Sequence, residues 1–294
     1  MQWSPTRSIL ALWTRGENSP SDVRLFNPRT LHFDHTKSVL NATSIEFSWS
    51  PCGSYLLALC HLTLKKGKSG TAILIFRCKE WGVPVDTIEI NESVFACHWE
   101  GNSQRFALLM GDQARPSPVI YSLNPNKKTE IELRLPPRPC NSIVWSPHSD
   151  LLIISNLKNK SGVGGQIQGG TVEVYSMMLH TVIGQTQHPL ANMIEWDPTG
   201  RFFSTCVTDN LDSNGFMIYN AKAEPLFESP LLQQLSRFSW RPNLPSLLTD
   251  DELYKLSIPQ VFNLFKRKYA RIDALSSTTA EEQRYVTFFS SNYF

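Results

Sequence analysis

One phrase built on tryptophan recurs along the chain and constrains its fold more than any other feature. Six of the eight tryptophans in the 294 residues take part in it. It occurs as Trp3-Ser4-Pro5, Trp49-Ser50-Pro51, Trp99-Glu100-Gly101, Trp145-Ser146-Pro147, Trp196-Asp197-Pro198 and Trp240-Arg241-Pro242. Successive tryptophans are 46, 50, 46, 51 and 44 residues apart. A fixed period of this size is typical of a propeller or a solenoid, in which each repeat is one supersecondary unit.

The residues around each phrase predict four short strands per repeat. An alternating stretch leads into the tryptophan, and proline then favours a turn that glycine closes where it is present. In the second repeat, apolar strands are predicted at 55–59, 72–76 and 85–90. Four antiparallel strands in about 45 residues make one blade of a β-propeller. The sequence therefore predicts an all-β propeller of WD40 type, with a third repeat that lacks the proline.

The sixth repeat is not completed as a blade. Thr249 and Glu252 form a capping box that opens a predicted helix, which Pro259 kinks or ends. An apolar stripe at helical spacing follows, consisting of Ile258, Phe262, Phe265, Tyr269 and Ile272, and the opposite face carries Lys266, Arg267, Lys268 and Arg271. The stripe is expected either to pack against the propeller or to enter a groove of a partner. We divide the chain into blades at 1–248, a helical extension at 249–275 and a tail at 276–294.

Composition excludes several classes of protein. Hydrophobic residues make up 41% of the chain and charged residues 18%, which excludes a disordered chain. The net charge of +2 argues against a protein that coats nucleic acid with its whole surface. No apolar run reaches the roughly 18 residues that a membrane span needs. The six cysteines are scattered and no signal peptide is recognised, so reduced thiols and a cytoplasmic location are expected.

No motif for catalysis, a cofactor or a metal is found. His32 and His35 lack the spacing of a metal site and are interpreted as loop residues. The glycine-rich segment 162–170 leads into a predicted strand rather than a helix, so it is interpreted as a hairpin loop and not as a phosphate cradle. Two basic segments lie in loops between strands, and their lysines either favour solubility or contact RNA phosphate: Lys65, Lys66, Lys68, Lys158 and Lys160.

The ordered set of phrases resembles the b-subunit family of eukaryotic translation initiation factor 3. The residues that carry the resemblance include 194–202, 238–248, 75–77 with 83–85, 111–116 and 141–147, in the order of the family and at about its spacings. The resemblance covers about residues 2–275. The sequence departs from the family in having no RNA-recognition motif, and segment 162–170 is interpreted as an insertion.

The resemblance implies a non-catalytic scaffold rather than an enzyme. It implies five to six blades' worth of a larger, nine-bladed ring on the small (40S) ribosomal subunit, in contact with protein and ribosomal RNA. The helical extension then binds the i and g subunits of the factor, with Phe262, Phe265, Lys266, Arg267, Lys268, Tyr269 and Ile272 as candidate contacts, and its a-subunit is a further partner. Neither a membrane nor a small-molecule substrate is implied. A protein like initiation factor 2A is the alternative within this class, and a propeller hydrolase is the alternative from another class.

Overall fold

A computed structural model describes most of the chain. The described residues are 1–15, 20–63, 69–101, 104–123, 129–158, 169–209, 214–242 and Lys255. The chain divides into two compact units, Met1–Pro242 and Asn243–Phe294. Lys255 has a helical conformation. The rest of the predicted helical extension, its apolar stripe and the tail lie outside the described residues, so the domain boundaries at 248 and 275 stay predictions.

The first unit contains five antiparallel sheets of four strands, each formed by strands that are consecutive in the chain. Blade 1 comprises β1 (Gln2–Trp3), β2 (Leu10–Thr14), β3 (Ser21–Asn27) and β4 (His32–Val39). Blade 2 comprises β5 (Ala42–Trp49), β6 (Tyr55–Thr63), β7 (Ser69–Arg77) and β8 (Val85–Ile90). Blade 3 comprises β9 (Val94–Trp99), β10 (Arg105–Gly111), β11 (Pro116–Ser122) and β12 (Glu130–Arg134). Blade 4 comprises β13 (Ser142–Trp145), β14 (Leu151–Asn156), β15 (Thr171–Ser176) and β16 (Thr181–Gln187), and blade 5 comprises β17 (Met193–Trp196), β18 (Phe202–Val207), β19 (Gly215–Asn220) and β20 (Pro225–Glu228).

This arrangement confirms the predicted propeller blades and fixes their phase. The strand that ends in the tryptophan is the first strand of each sheet. The first strands of blades 2 and 3, of blades 3 and 4, and of blades 4 and 5 contact one another, so these strands lie innermost. The fourth strands are outermost, and β20 is exposed along its whole length.

The core lies between the blades rather than within any one of them. One cluster joins Val23 and Leu25 of blade 1 to Leu56, Leu74 and Phe76 of blade 2. Three further clusters join blades 2 and 3, blades 3 and 4, and blades 4 and 5 in the same way. A middle strand such as β6 is therefore covered on both faces, and residues 56–60 are all buried. Full burial of each large apolar side chain contributes about 1.5–3 kcal/mol, so each blade depends on its neighbours.

Antiparallel pairing places the connections on two opposite faces of the propeller. The links from the first to the second strand and from the third to the fourth lie on one face, which we call the turn face. The links from the second to the third strand and from blade to blade lie on the other, which we call the loop face. Neighbouring blades share this orientation, because the Thr6 hydroxyl of blade 1 donates to the carbonyl of Cys52 in blade 2 at 2.9 Å. In the described part of the chain, no helix is long and apolar enough to cross a membrane.

Candidate interaction surfaces

The repeated tryptophan joins each blade to the one before it. Its indole Nε1–H donates to the carbonyl of the residue that precedes the tryptophan of the previous blade. These bonds are Trp49 to Gln2 at 3.3 Å, Trp99 to Ser48 at 3.0 Å, Trp196 to Val144 at 3.3 Å and Trp240 to Glu195 at 3.2 Å. The bond satisfies the polar atom of a ring that packs at the junction. Trp240 makes the same bond to blade 5 that Trp49, Trp99 and Trp196 make to the blades before them, although no sixth blade follows within the described residues.

The residue after each tryptophan closes the first turn of its blade. Its backbone N–H donates to the carbonyl five residues later, at 2.9 Å in all five blades: Ser4 to Ile9, Ser50 to Tyr55, Glu100 to Arg105, Ser146 to Leu151 and Asp197 to Phe202. Gly53 and Gly200 then adopt φ values of +63° and +70°, which disfavour a side chain. The turns also touch from blade to blade, since a Cβ on Gly101 would lie 1.8 Å from the carbonyl oxygen of Pro147.

Asp197 makes the most extensive set of bonds at this position. Its carboxylate accepts the backbone N–H groups of Thr199, Arg201 and Phe202 at 3.1, 2.9 and 2.8 Å, together with the Thr199 hydroxyl. Burial acts to raise the pKa of Asp197, but these hydrogen bonds outweigh it and hold the pKa below its ordinary value. The carboxylate is therefore ionised at neutral pH and stabilises the turn.

The third repeat replaces the usual residues with an ion pair. Glu100 is buried, and Arg105 holds it with two bonds, of which Nε to Oε2 measures 3.1 Å. The bond to Glu100 is the main reason that the pKa of Arg105 is raised. The same guanidinium lies 5.3 Å from the centre of the Trp145 ring, close enough for a cation–π contact.

The junction between blades 3 and 4 is also the exception to the tryptophan bond. Trp145 Nε1 is buried and has no hydrogen-bond partner among the described residues. Instead, the backbone nitrogen of Trp145 lies 3.2 Å from Nδ1 of His98. Burial lowers the pKa of His98, and its Nδ1 also lies 3.0 Å from the carbonyl oxygen of Trp99, so the tautomer of the ring decides which of the two contacts is the hydrogen bond.

Hydrogen bonds from asparagine side chains stabilise two of the connections on the loop face. Asn141 donates Nδ2–H to the carbonyl of Leu157 at 2.6 Å and accepts its N–H at 2.8 Å. Asn192 makes the equivalent pair with Thr208, at 2.8 and 3.1 Å. Sequence analysis missed both residues, although asparagine stands four positions before the tryptophan in each of these two repeats.

Both basic segments predicted from the sequence leave the sheets on the loop face. Lys158 is exposed, and its backbone N–H donates to the carbonyl of Ala191 at 2.8 Å. Lys65, Lys66, Lys68 and Lys160 lie outside the described residues. The strands that flank the first segment nevertheless end on the loop face, at Thr63 and Ser69. The described strand ends on either side of both segments therefore lie on the same face.

The histidines weighed as metal ligands, His32 and His35, both lie in strand β4 and not in a loop as the sequence suggested. His32 is exposed at the start of β4, whereas His35 packs edge-on against Phe76 of blade 2, with ring centres 5.8 Å apart. Burial is the main cause of the lowered pKa of His35. Within the described ranges, no group of three or more histidine, cysteine or acidic side chains is placed to hold a metal.

Cys60, Cys78 and Cys206 are free, buried thiols, and burial raises the pKa of each to about 12. Most of segment 162–170 lies outside the described residues, but Gly170 leads directly into strand β15. The helix that a phosphate cradle requires is therefore replaced there by a strand.

The candidate contacts on the helical extension, Phe262, Phe265, Lys266, Arg267, Lys268, Tyr269 and Ile272, lie outside the described residues. Sequence analysis missed another exposed surface, formed by turns on the turn face that carry Leu31 and Trp81. In the sequence, Trp81 could have drawn attention to this surface because it is not one of the six tryptophans that recur with the repeat.

Comparison with known proteins gives consistent matches. The sequence profile of the family described as "Eukaryotic translation initiation factor eIF2A" matches residues 37–266. The B-subunit of eukaryotic translation initiation factor 3 from Xenopus laevis is 29% identical over an alignment of 293 positions that covers 96% of this chain and 40% of that protein. The protein of the same name from Drosophila pseudoobscura pseudoobscura is 27% identical over 298 residues, covering 96% of this chain and 41% of its own. The chain thus spans about two fifths of the length of these curated relatives.

A solved structure supports the fold. The crystal structure described as that of "the eukaryotic initiation factor" superposes with a TM-score of 0.62 at 18% identity, covering 81% of this chain and 59% of that chain. At this level of identity the likeness concerns the architecture alone. It agrees with the five blades described above.

Proposed function

Because the chain belongs to the family of eukaryotic translation initiation factor eIF2A, we propose that it is a non-catalytic scaffold of the translation initiation machinery in the cytoplasm. The observation that carries this proposal is the similarity to the B-subunit of initiation factor 3, which extends over 96% of the chain. A role as part of a larger assembly also suits the blades. The features that recur from blade to blade are the tryptophan contacts between neighbouring blades and the hydrogen bonds of the turns. We propose the other subunits of that factor, a, i and g, as its partners.

The loop face is the proposed contact with the small ribosomal subunit. Lys65, Lys66 and Lys68 follow β6 in the sequence, and Lys158 and Lys160 follow β14, and both strands end on the loop face. Lysines in exposed loops attract RNA phosphate without reading a sequence, and they raise the salt dependence of binding. Ribosomal RNA is therefore the proposed target of this face.

The helical extension is the proposed contact with the i and g subunits. Its stripe of Phe262, Phe265, Tyr269 and Ile272 has the spacing of an amphipathic helix that enters an apolar groove. Lys266, Arg267 and Lys268 add positive charge beside the stripe. An acidic rim around the partner's groove would complement them.

Cosedimentation with purified 40S subunits tests the loop face. Replacing Lys65, Lys66, Lys68, Lys158 and Lys160 with glutamate is expected to lower binding at least about tenfold at moderate salt. The matched control is Lys222→Glu, a charge reversal on the turn face. Equal loss in the control, or no loss in the loop variant, would contradict the proposed contact.

Affinity purification of the full chain tests whether the helical extension binds the i and g subunits. It also distinguishes a function like that of the initiation factor 3 B-subunit from one like that of initiation factor 2A. Phe265→Asp is expected to abolish capture of the i and g subunits while the melting curve of the protein stays unchanged, and Ser276→Asp is the control beyond the helix. Capture unaffected by Phe265→Asp would refute the helical site. Ribosome binding without any subunit of initiation factor 3 would favour a function like that of initiation factor 2A instead.

A further inference from the structure

Two neighbouring turns on the turn face each present a cation two residues before an exposed apolar side chain. Blade 1 presents Arg29 and Leu31 between β3 and β4, and blade 2 presents Lys79 and Trp81 between β7 and β8. Trp81 is 100% exposed and Leu31 is 74% exposed. Large apolar side chains at the tips of turns add nothing to the core, whereas tryptophan is enriched among residues that dominate binding to a partner. We call these four residues the knob surface.

The backbone holds both turns in defined conformations. Leu31 has φ = +59° and its N–H donates to the carbonyl of Asn27 at 2.9 Å. Trp81 is followed by Gly82 and Val83, which have φ = +74° and +48°. A left-handed conformation is uncommon for leucine and unfavourable for a β-branched residue such as valine. The apolar side chains are thus presented on an ordered backbone, which reduces the entropy lost when a partner binds.

Contacts between the blades join the two turns into one surface. His35, near the end of the blade 1 turn, packs against Phe76, which leads into the turn of blade 2. Arg7, in the first turn of blade 1, donates from Nη1 to the carbonyl of Cys78 at 2.8 Å. Arg7 thereby adds a third positive charge beside Lys79.

Cations outnumber carboxylates on this surface, with Arg7, Arg29, Arg77 and Lys79 against Asp34, Glu80 and Asp86. Asp34 accepts a bond from Nδ2 of Asn27 at 3.2 Å. Glu80 and Asp86 both pair with Arg77, at 3.4 and 2.8 Å. Arg29 and Lys79, by contrast, have no carboxylate partner among the residues that the structure describes.

We propose that the knob surface binds a peptide segment of a partner protein in which carboxylates alternate with apolar or aromatic side chains. Trp81 and Leu31 contact the apolar side chains, while Arg29 and Lys79 pair with the carboxylates. Single-stranded RNA fits this surface less well, because Leu31 offers no ring on which a base can stack.

Fluorescence anisotropy with the full chain tests the proposal. The probe is a short labelled peptide of alternating glutamate and phenylalanine, and the comparison probes are the same peptide with lysine in place of glutamate and a uridine oligonucleotide of equal length. The acidic peptide is expected to bind at least about tenfold more tightly than either comparison probe. Its affinity is expected to fall as salt rises.

Variants of the full chain test whether the acidic peptide binds at the knob surface. Trp81→Ala removes a side chain that contributes nothing to the core, and Leu31→Gly relieves the left-handed strain, so both proteins are expected to fold. Each variant, and Lys79→Glu, is expected to weaken the acidic peptide about tenfold. Met178→Ala, an exposed apolar residue of the blade 4 turn, and Arg115→Glu on the loop face are the controls and should change affinity less than about twofold.

Three results would overturn the proposal. They are no binding of the acidic peptide, equal weakening by the control variants, and tighter binding of the oligonucleotide that Trp81→Ala abolishes. The last result would assign the surface to nucleic acid. Because the ribosome contact is proposed for the opposite face, failure here leaves the loop-face experiment unaffected.

Discussion

The turn face and the loop face of the propeller differ in how their connections are built. On the turn face, every blade closes its first turn with the same backbone hydrogen bond, at the same distance and over the same number of residues. On the loop face, the links between second and third strands range from 112–115 to 157–170. Uniform turns are required where neighbouring blades touch near the axis, whereas the loop face accommodates variable lengths at little cost, because loop-closure entropy grows slowly with length.

The difference indicates where each kind of function belongs. Turns with a defined backbone present Leu31 and Trp81, which suits the capture of a particular peptide. Connections that carry several lysines suit a polyanion such as ribosomal RNA, which is attracted by charge rather than by a single fitted contact. Three pairs of substitutions can sharpen or break this distinction.

Gly101→Ala is expected to have the largest effect. The new Cβ would lie 1.8 Å from the carbonyl oxygen of Pro147 in the neighbouring blade, so the backbone of one turn must move. We expect the free energy of unfolding to fall by roughly 3 kcal/mol, measured by urea denaturation. Gly82→Ala is the control, because no atom lies within 4 Å of its Cβ and only the strain of φ = +74° is added. Equal losses in the two variants would show that the turns do not depend on contact between blades.

Asp197→Asn allows two kinds of stabilisation to be compared. One is the turn held by the ionised carboxylate of Asp197, and the other is the loop-face connection held by a neutral asparagine side chain. Because hydrogen bonds hold the folded pKa of Asp197 below its unfolded value, its carboxylate stabilises the protein above about pH 4 and loses this effect as pH falls through the folded pKa. We expect a loss of about 2 kcal/mol at pH 7 that shrinks in acid, measured as unfolding free energy from pH 7 to pH 3. Asn192→Ala should cost a similar amount at every pH, since no titrating group is removed. A loss from Asp197→Asn that persists unchanged at low pH would be contrary to this account.

A smaller loss of stability is expected to distinguish a blade junction that has the tryptophan hydrogen bond from the junction that lacks it. Trp99→Phe removes a bond to the carbonyl of Ser48, whereas Trp145→Phe removes an Nε1–H that has no described partner. Both variants also change ring contacts, those of Trp99 with Tyr55 and Phe106 and that of Trp145 with Arg105. We expect Trp99→Phe to cost about 1 kcal/mol more than Trp145→Phe, measured by thermal unfolding. The reverse order would mean that the contact of Arg105 with Trp145 outweighs the missing bond.

Sequence reasoning reached the fold because each repeat uses the same physical device. The tryptophan, the residue after it and the proline have fixed tasks, so their spacing predicts strands and turns directly. It did not reach Asn192, because asparagine occupies that position in two repeats only, or Trp81, which lies outside the tryptophan period. Whether Asn192 meets Thr208 depends on a pairing between a linker and a strand end that lie in different parts of the repeat.

The third repeat shows what can be predicted from the sequence and what only the tertiary structure reveals. From the sequence, Trp99-Glu100-Gly101 is a repeat without its proline. In the structure, Glu100 is buried with Arg105, and Arg105 in turn covers Trp145 of the next blade. A charge can be buried at that position only because its partner is placed opposite it by the β9–β10 hairpin.

The sequence by itself determined the strand pattern, the tryptophan period and the family, since these depend on residues close together in the chain. The tertiary structure decided which residues meet across blades, which face carries each loop, and which apolar side chains stay in water. The reason is geometric. Burial in a propeller arises between neighbouring sheets, so a side chain such as Phe76 enters the core, while Trp81, only five residues later, remains fully exposed.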